Sequence, residues 1–320
     1  MNTNLLIDNL TNPALLFFLL GIIAVQLKSD LEIPPGSSKF ISLYLLFSIG
    51  FKGGQELSHE VFSMEIFWSI AMGVAIALVI PIYTFFLLRR YMNVFDAGAI
   101  AAAYGSVSAV TFVSAVAYLE AMDQTLHGYM VAIMALMESP AIIAGLLLIS
   151  MFNREEQSGI KKRHALQHSL TNGSVLLIMG SLAIGYLASA EQAEGIKPFT
   201  NDIFKGFLAI FLLDMGIVSG RKIGTLVRHG WFPFAFATII PLVNGCLFAA
   251  ASSLVTQKHS DRFIFGVLAA SASYIAVPAA MKITVPKANP GLFLPMALAV
   301  TFPVNITIGM PVYYYVAQFF

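Results

Sequence analysis

Cysteine is nearly absent: Cys246 stands alone in 320 residues, which excludes an internal disulfide and any cysteine-built metal cluster. Set in an apolar run, it reads as a small buried hydrophobe. Charge is scarce as well. Asp, Glu, Lys and Arg make up 11% of the chain, against about a quarter in soluble domains. The 18 Lys+Arg nearly cancel the 17 Asp+Glu, leaving a net charge of +1, which offers no basic face to nucleic acid. No GxSxG elbow is present and no histidine falls mid-span to serve as a base, so a hydrolase is a remote reading and no catalytic residue is assigned. His127, His164, His168 and His229 fall near span ends or in a basic linker, without metal-ligand spacing on a helix. No polar stretch is long enough for the soluble domain that a receptor or scaffold would carry. What abounds is apolar: 58% of residues belong to AVILMFWYC. The composition is that of a membrane protein.

About 20 mostly apolar residues cross the hydrocarbon layer as a helix. Ten such runs are expected, at 13–27, 40–58, 62–88, 96–119, 127–151, 170–189, 203–220, 231–255, 261–281 and 290–318. The first is short and the third long, so tilt or breaks are expected in some of them. The N-terminal MNTNLLIDNLTNP has no basic region and no small-residue cleavage site follows, so the first run is expected to remain as a span.

Positive charge orients the spans. The longest polar segment, 152–169, carries Arg154, Lys161, Lys162 and Arg163. With that linker cytoplasmic, thirteen Lys and Arg lie inside, leaving Lys52, Lys197, Lys205, Lys258 and Arg262 outside. A multi-pass protein of the plasma (inner) membrane with both termini extracytoplasmic is expected.

The two halves resemble each other. LFSIGFKGGQEL (46–57) aligns with LLDMGIVSGRKI (212–223), placing Gly50 on Gly216 and Gly54 on Gly220 at an offset of 166. DAGAIAAAYGSVSAV (96–110) aligns with DRFIFGVLAASASYI (261–275), placing Asp96, Ser106 and Ser108 on Asp261, Ser271 and Ser273 at 165. LMESPAII (136–143) aligns with VTFPVNI from 300, placing Pro140 on Pro303 at 163. An odd number of spans per half inverts the second against the first. The expected fold is therefore all-α, with ten transmembrane helices in an inverted 5+5 repeat: residues 1–151, a cytoplasmic linker at 152–169, and residues 170–320. Such repeats belong mainly to secondary transporters, with a midplane site between the halves.

Two runs of small residues are the candidate breaks: Ala103-Tyr104-Gly105-Ser106-Val107-Ser108, and Ala269-Ala270-Ser271-Ala272-Ser273 with Pro278 following. A helix that restarts within the membrane offers unpaired N–H groups and hydroxyls, and its dipole favours an anion. Close helix packing is the plainer explanation of one Ser-x-Ser. Two at aligned positions favour a site able to hold a small oxyanion without an arginine.

Ionisable residues inside spans are functional hypotheses by default. Glu138 stands mid-span before Pro140, which frees a carbonyl one turn earlier. Carboxylate and carbonyl oxygens suit a hard cation such as Na+. Asp214, halfway along the seventh span, is the second candidate for ion coupling. Lys52, in the aligned second span, is a candidate structural partner for Asp214. The alternative to an anion symporter is a cation/proton exchanger using Glu138 or Asp214.

These residues resemble a specific family over nearly the whole chain. GGQEL after Ile49-Gly50, GSVSAVT ending at Thr111, LMESPA around Pro140, LLDMG ending at Gly216, AASAS at 269–273 and VPKANP at 285–290 are similar to the sodium-dependent bicarbonate transporters best known from cyanobacteria. The resemblance implies ten spans in an inverted arrangement, a homotrimer, bicarbonate carried with Na+, and a PII-like cytoplasmic regulator in the cyanobacterial members. By position it implies substrate contacts at Gly105, Ser108 and Thr111 from one half and Ser271 and Ser273 from the other, with Ser106 alongside. Na+ is expected near Glu138, Ser108 and Ser273, with no other cofactor. The chain departs from the family pattern where an aspartate and Gly-Pro-Pro follow the second serine run. Tyr274 and Val277-Pro278-Ala279 stand there, so Tyr274 is expected either to donate a phenolic hydroxyl to an anion or to wall off a different substrate.

Overall fold

The computed structural model describes residues 13–60, 63–153, 173–227 and 230–320. The linker residues Arg154, Lys161, Lys162, Arg163, His164 and His168, together with Arg228 and His229, lie outside the described residues. Among the described residues all regular structure is helical. The chain forms α1 (Pro13–Gln26), α2 (Pro35–Ser58) and α3 (Met64–Leu88). A broken pair follows, α4 (Val94–Gly105) and α5 (Ala109–Ala121), then α6 (Tyr129–Phe152) and α7 (Gly173–Leu187). The short α8 (Ala190–Lys197) runs through a π-helical turn at Pro198–Asp202 toward α9 (Phe204–Val227), followed by α10 (Trp231–Ala251). The second broken pair is α11 (His259–Ala270) and α12 (Ala276–Thr284). The last stretch alternates α13 (Pro290–Pro295), α14 (Phe302–Val304) and α15 (Met310–Phe319) with π-helical segments Met296–Thr301 and Asn305–Gly309.

Six helical stretches among the described residues are long and apolar enough to cross a membrane: Met64–Leu88, Val94–Ala121, Tyr129–Phe152, Ala190–Gly224, Trp231–Leu254 and Pro290–Phe319. The other expected spans fall short for physical reasons. α1 and α7 have 14 and 15 residues. α2 is long but carries Lys52, Gln55 and Glu56, and α11 and α12 are separated by non-helical residues 271–275. The long third run does not break: α3 continues through Pro81.

The helices pair in a scheme that repeats. α1 packs on α9 and α2 on α7, while α3 packs on α4 and α6 much as α10 packs on α11 and α15. The aligned glycines explain the first two pairs. A Cβ on Gly54 of α2 would lie 2.1 Å from the Leu182 carbonyl oxygen of α7, and one on Gly216 of α9 would lie 2.1 Å from the Phe18 oxygen of α1. Only glycine lets the backbones approach so closely. Gly21 and Gly185 complete the two contacts, each facing a carbonyl of the partner helix at under 2.5 Å from a built Cβ. They stand 164 residues apart, close to the offsets of the aligned segments.

Candidate functional site

Both serine runs interrupt their helices. α4 ends at Gly105, whose neighbour Ser106 is extended (ψ 175°), and α5 starts after Ser108, whose Oγ accepts from Thr111 N at 3.2 Å. α11 ends at Ala270, and Ser273 Oγ accepts from Val277 N in the first turn of α12 at 3.3 Å. Serine favours these positions because its hydroxyl satisfies a donor that the helix start leaves open.

The two breaks meet. Ser108 N donates to Ser271 Oγ at 3.1 Å, and Ser273 N donates to the Ala103 carbonyl at 2.8 Å. Ser271 Oγ also donates to Leu268 O at 2.9 Å. Carbonyls orphaned at the helix ends thus find partners: Ala103 O takes Ser273 N across the crossing, and Ala270 O takes Asn305 Nδ2 of the last helical stretch at 2.8 Å. The N–H groups of Ala109 and Val110 receive no acceptor among the described residues.

At the crossing lies a small cavity of about 20 Å3, lined by Leu46, Val107, Ser108, Ala109, Val110, Glu138, Ser273, Tyr274, Ile275 and Ala276. Its walls are the first turns of α5 and α12 together with α2 and α6. Glu138 is its sole carboxylate. It is 9% exposed, and its Oε1 has no hydrogen-bond partner. A space of this size admits about one water-sized particle. Its hydroxyls and carboxylate are oxygen donors of the kind Na+ takes.

Two larger clefts open at opposite ends of α2. One, of about 480 Å3, is walled by Pro35, Ser38, Lys39 and Leu43 of α2 with Asp214, Arg221, Tyr274 and Ile275. The other, of about 450 Å3, is walled by Ile49, Lys52, Gly53, Gln55 and Glu56 of α2 with Glu120, His127, Lys197 and Thr200. Leu46, in the cavity wall, falls between the two sets on the same helix. Tyr274 and Ile275 line both the cavity and the first cleft, so one layer of side chains separates them. The Tyr274 ring meets Phe302 edge-on at 6.4 Å, and its hydroxyl lies 3.9 Å from Met215 Sδ.

Ser108, Ser273, Tyr274 and Glu138 therefore share one cavity. Ser271 ties the crossing from behind rather than lining it. Thr111 and Ser106 are buried outside the cavity wall, Ser106 Oγ having no partner. Gly105 faces α3: a Cβ there would lie 2.1 Å from the Pro81 ring. Asp214 lies in the wall of the first cleft and accepts from Ser38 Oγ. It does not pair with Lys52, which is bound by Glu120 at 3.1 Å. Residue spacing along two helices does not reveal which faces they turn to one another, and α2 turns Ser38, not Lys52, toward Asp214.

Sequence reasoning also missed the outer struts of the crossing. Tyr104 Oη lies 2.8 Å from Thr301 Oγ1, which donates to Ala237 O at 2.7 Å. Asp96 and Asp261 each bind the segment that leaves the opposite broken pair. Their alignment at one offset was the available signal.

An all-helical membrane body built around two crossed helix breaks, with clefts on either side, belongs among the membrane transporters. The chain belongs to the Na+-dependent bicarbonate transporter superfamily, whose family model matches residues 13–318. That is a superfamily of transporters rather than enzymes, and the chain is a multi-pass membrane protein. No curated protein sequence matches it.

Proposed function

We propose that this chain is a Na+-coupled symporter of bicarbonate or a similarly small monovalent anion, in the ten-span inverted arrangement. The observation that carries this reading is the crossing. Two helix starts, α5 capped by Ser108 and α12 with Ser273 Oγ accepting from Val277 N in its first turn, face one cavity that also holds the unpartnered Glu138 Oε1. The free N–H groups of Ala109 and Val110 and the α5 and α12 dipoles favour an anion. Glu138, Ser108 and Ser273 supply oxygens for Na+, with Asp214 as a second ion-coupling candidate at the cleft. The repeated packing of α1 on α9 and α2 on α7 supports the inverted relation of the halves. The positive-charge asymmetry supports extracytoplasmic termini, so that the cleft with Lys52 faces outward and the cleft with Asp214 inward.

The closed cavity does not accommodate bicarbonate and a cation together, so the anion enters as the walls part toward one cleft. Moving a lone anion inward against 100 mV costs about 2.3 kcal/mol. One accompanying Na+ cancels that charge, and a tenfold Na+ gradient then contributes about 1.4 kcal/mol, enough for roughly tenfold accumulation. Placing opposite charges together also lowers the desolvation penalty of each.

Radiolabelled bicarbonate uptake into proteoliposomes, with and without Na+ and with formate, nitrate and acetate as competitors, tests the reading. Uptake is expected to require Na+. Ser108→Ala, which removes a cap and a wall hydroxyl, and Ser271→Ala, which removes the tie to Ser108 N, are each expected to raise the half-saturating bicarbonate concentration about tenfold, the effect of one lost hydrogen bond of about 1.4 kcal/mol. Uptake indifferent to Na+ refutes the coupling. Proton movement on Na+ addition with no oxyanion present would instead mark a cation/proton exchanger working through Glu138 or Asp214.

A further inference from the structure

The outward cleft contains a cation in an unusual setting. Lys52 lies within the membrane helix α2, beside Gly53 and Gly54 that hold the helix against its neighbours. Its Nζ is 3.1 Å from Glu120 Oε1 and 5.1 Å from the Phe204 ring centroid. Neither side chain of the pair is buried: 26% of Lys52 and 30% of Glu120 is exposed to the cleft. The other lysine of this cleft, Lys197, is already paired with Glu194, and both are at least half exposed.

The pair joins two walls of the central cavity. Lys52 is six residues beyond Leu46 on α2, a rise of about 9 Å, and Glu120 is twelve residues beyond Ser108 on α5, about 18 Å. A tie of this kind is weak. Partly exposed ion pairs are worth about 0–1 kcal/mol, so a second anion reaching the cleft exchanges with Glu120 at small cost. Lysine suits the exchange, being a hydrated point charge with three donors and no fixed fork. The cleft also holds Glu56, Glu194 and Lys197, so the pull on an arriving anion is local to Lys52 and falls off within about a Debye length.

We propose that Lys52 is the first docking point for the small oxyanion, and that the anion's arrival displaces Glu120 and unties α2 from α5 at the outer mouth. This rests on the symporter reading above and adds to it a second anion station outside the crossing. The opposing account is a purely structural ion pair. That account makes Lys52→Met and Glu120→Gln equivalent, because each breaks the same bond.

Bicarbonate uptake by the purified full chain in proteoliposomes, at fixed Na+ and varied chloride, separates the two. Docking at Lys52 predicts that Lys52→Met raises the half-saturating bicarbonate concentration about fivefold and removes its dependence on chloride. Glu120→Gln, which frees the lysine, is expected to lower it by about twofold to fivefold, both figures being the equivalent of a surface charge pair. Lys52→Arg keeps the charge and is expected to stay within about twofold of the wild type. Monodispersity of each variant in detergent controls for folding. Shifts in the same direction, or none, in a wild-type protein that transports bicarbonate overturn the docking role and leave the symporter reading intact. A wild-type protein that takes up no bicarbonate overturns both.

Discussion

The two broken spans begin with aspartates at aligned positions, and the two use them differently. Asp96, in the first turn of α4, accepts from Asn93 Nδ2 at 2.6 Å and from the backbone N of Asn289 at 2.7 Å, clamping the segment that leaves α12. Asp261, in the first turn of α11, accepts from His127 Nδ1 at 2.5 Å and Tyr129 Oη at 2.7 Å, clamping the segment that leaves α5. Both carboxylates sit where the helix dipole favours negative charge, and both close a loop from the opposite half. The geometry is shared and the chemistry differs. One clamp is made with a side-chain amide and a backbone N–H, and the other contains a histidine. Asp261 is also wholly buried, whereas Asp96 is 9% exposed.

The sharpest way to break this comparison is to remove each carboxylate. Asp261→Ala strands His127 and Tyr129 against a buried gap and is expected to destabilise by about 3–5 kcal/mol, the usual effect of breaking a buried charged pair from one side. Asp96→Ala leaves Asn289 N and Asn93 Nδ2 closer to solvent and is expected to cost about 1–3 kcal/mol. Unfolding of the detergent-solubilised variants measures both. An Asp96 variant as unstable as the Asp261 variant would show that burial does not distinguish the clamps.

The second difference is pH. Hydrogen bonding to Asp261 raises the His127 pKa above the ordinary 6.5, with burial working against it and the nearby Glu60 and Lys258 charges pulling in opposite directions. A group whose pKa is raised on folding contributes stability that is complete below its unfolded pKa and disappears as pH rises through the folded one. The His127 clamp is therefore expected to be strong at about pH 6 and to weaken on alkalinisation past the raised value. His127→Gln should remove that component of the unfolding profile, while Asn289→Ala should leave it in place. A wild-type profile that strengthens with pH over this range would contradict the assignment.

Much of the fold was legible because the decisive signals are local. Serine competes with the helix for its own backbone hydrogen bonds, and the two serine runs at 103–108 and 269–273 are where both breaks fall. Most helix ends agree with the apolar runs to within about four residues, because burying a polar backbone in lipid is prohibitive, but α2 starts five residues early at Pro35 and α9 runs seven residues longer, to Val227. Partners were less legible. Asp214 was matched with Lys52 from aligned spans, yet α2 turns Ser38 toward Asp214 and gives Lys52 to Glu120. Gly105, read as a ligand position, lies flat against Pro81 of α3, a contact that its span alone does not announce. Pro140 and Pro303 align, but α6 stays α-helical through its proline while the last stretch, with Pro295, Pro303 and Pro311, alternates with π-helix. The repeated prolines were visible. Their joint effect depends on Asn305 and Thr301 finding partners across the bundle, and no single-span reading contains that.

The smallest expected difference concerns how the clamped helices start. α4 has Asn93 at its N-cap, and the side-chain Oδ1 accepts from Asp96 N at 2.9 Å while its amide holds the same aspartate. α11 has Lys258 in that place, and no side chain caps it; the lysine reaches outward to Thr125 Oγ1 at 3.2 Å instead. Asn93→Ala is thus expected to cost about 1 kcal/mol through the lost cap, and Lys258→Ala less than about 0.5 kcal/mol, as for an exposed substitution. Lys258→Asn offers α11 the cap it lacks and is expected to stabilise the protein by about 0.5–1 kcal/mol. The three variants, compared in one unfolding series, show whether the α11 start tolerates a cap or whether the Asp261–His127 clamp has taken over that role. No gain from Lys258→Asn would mean the latter.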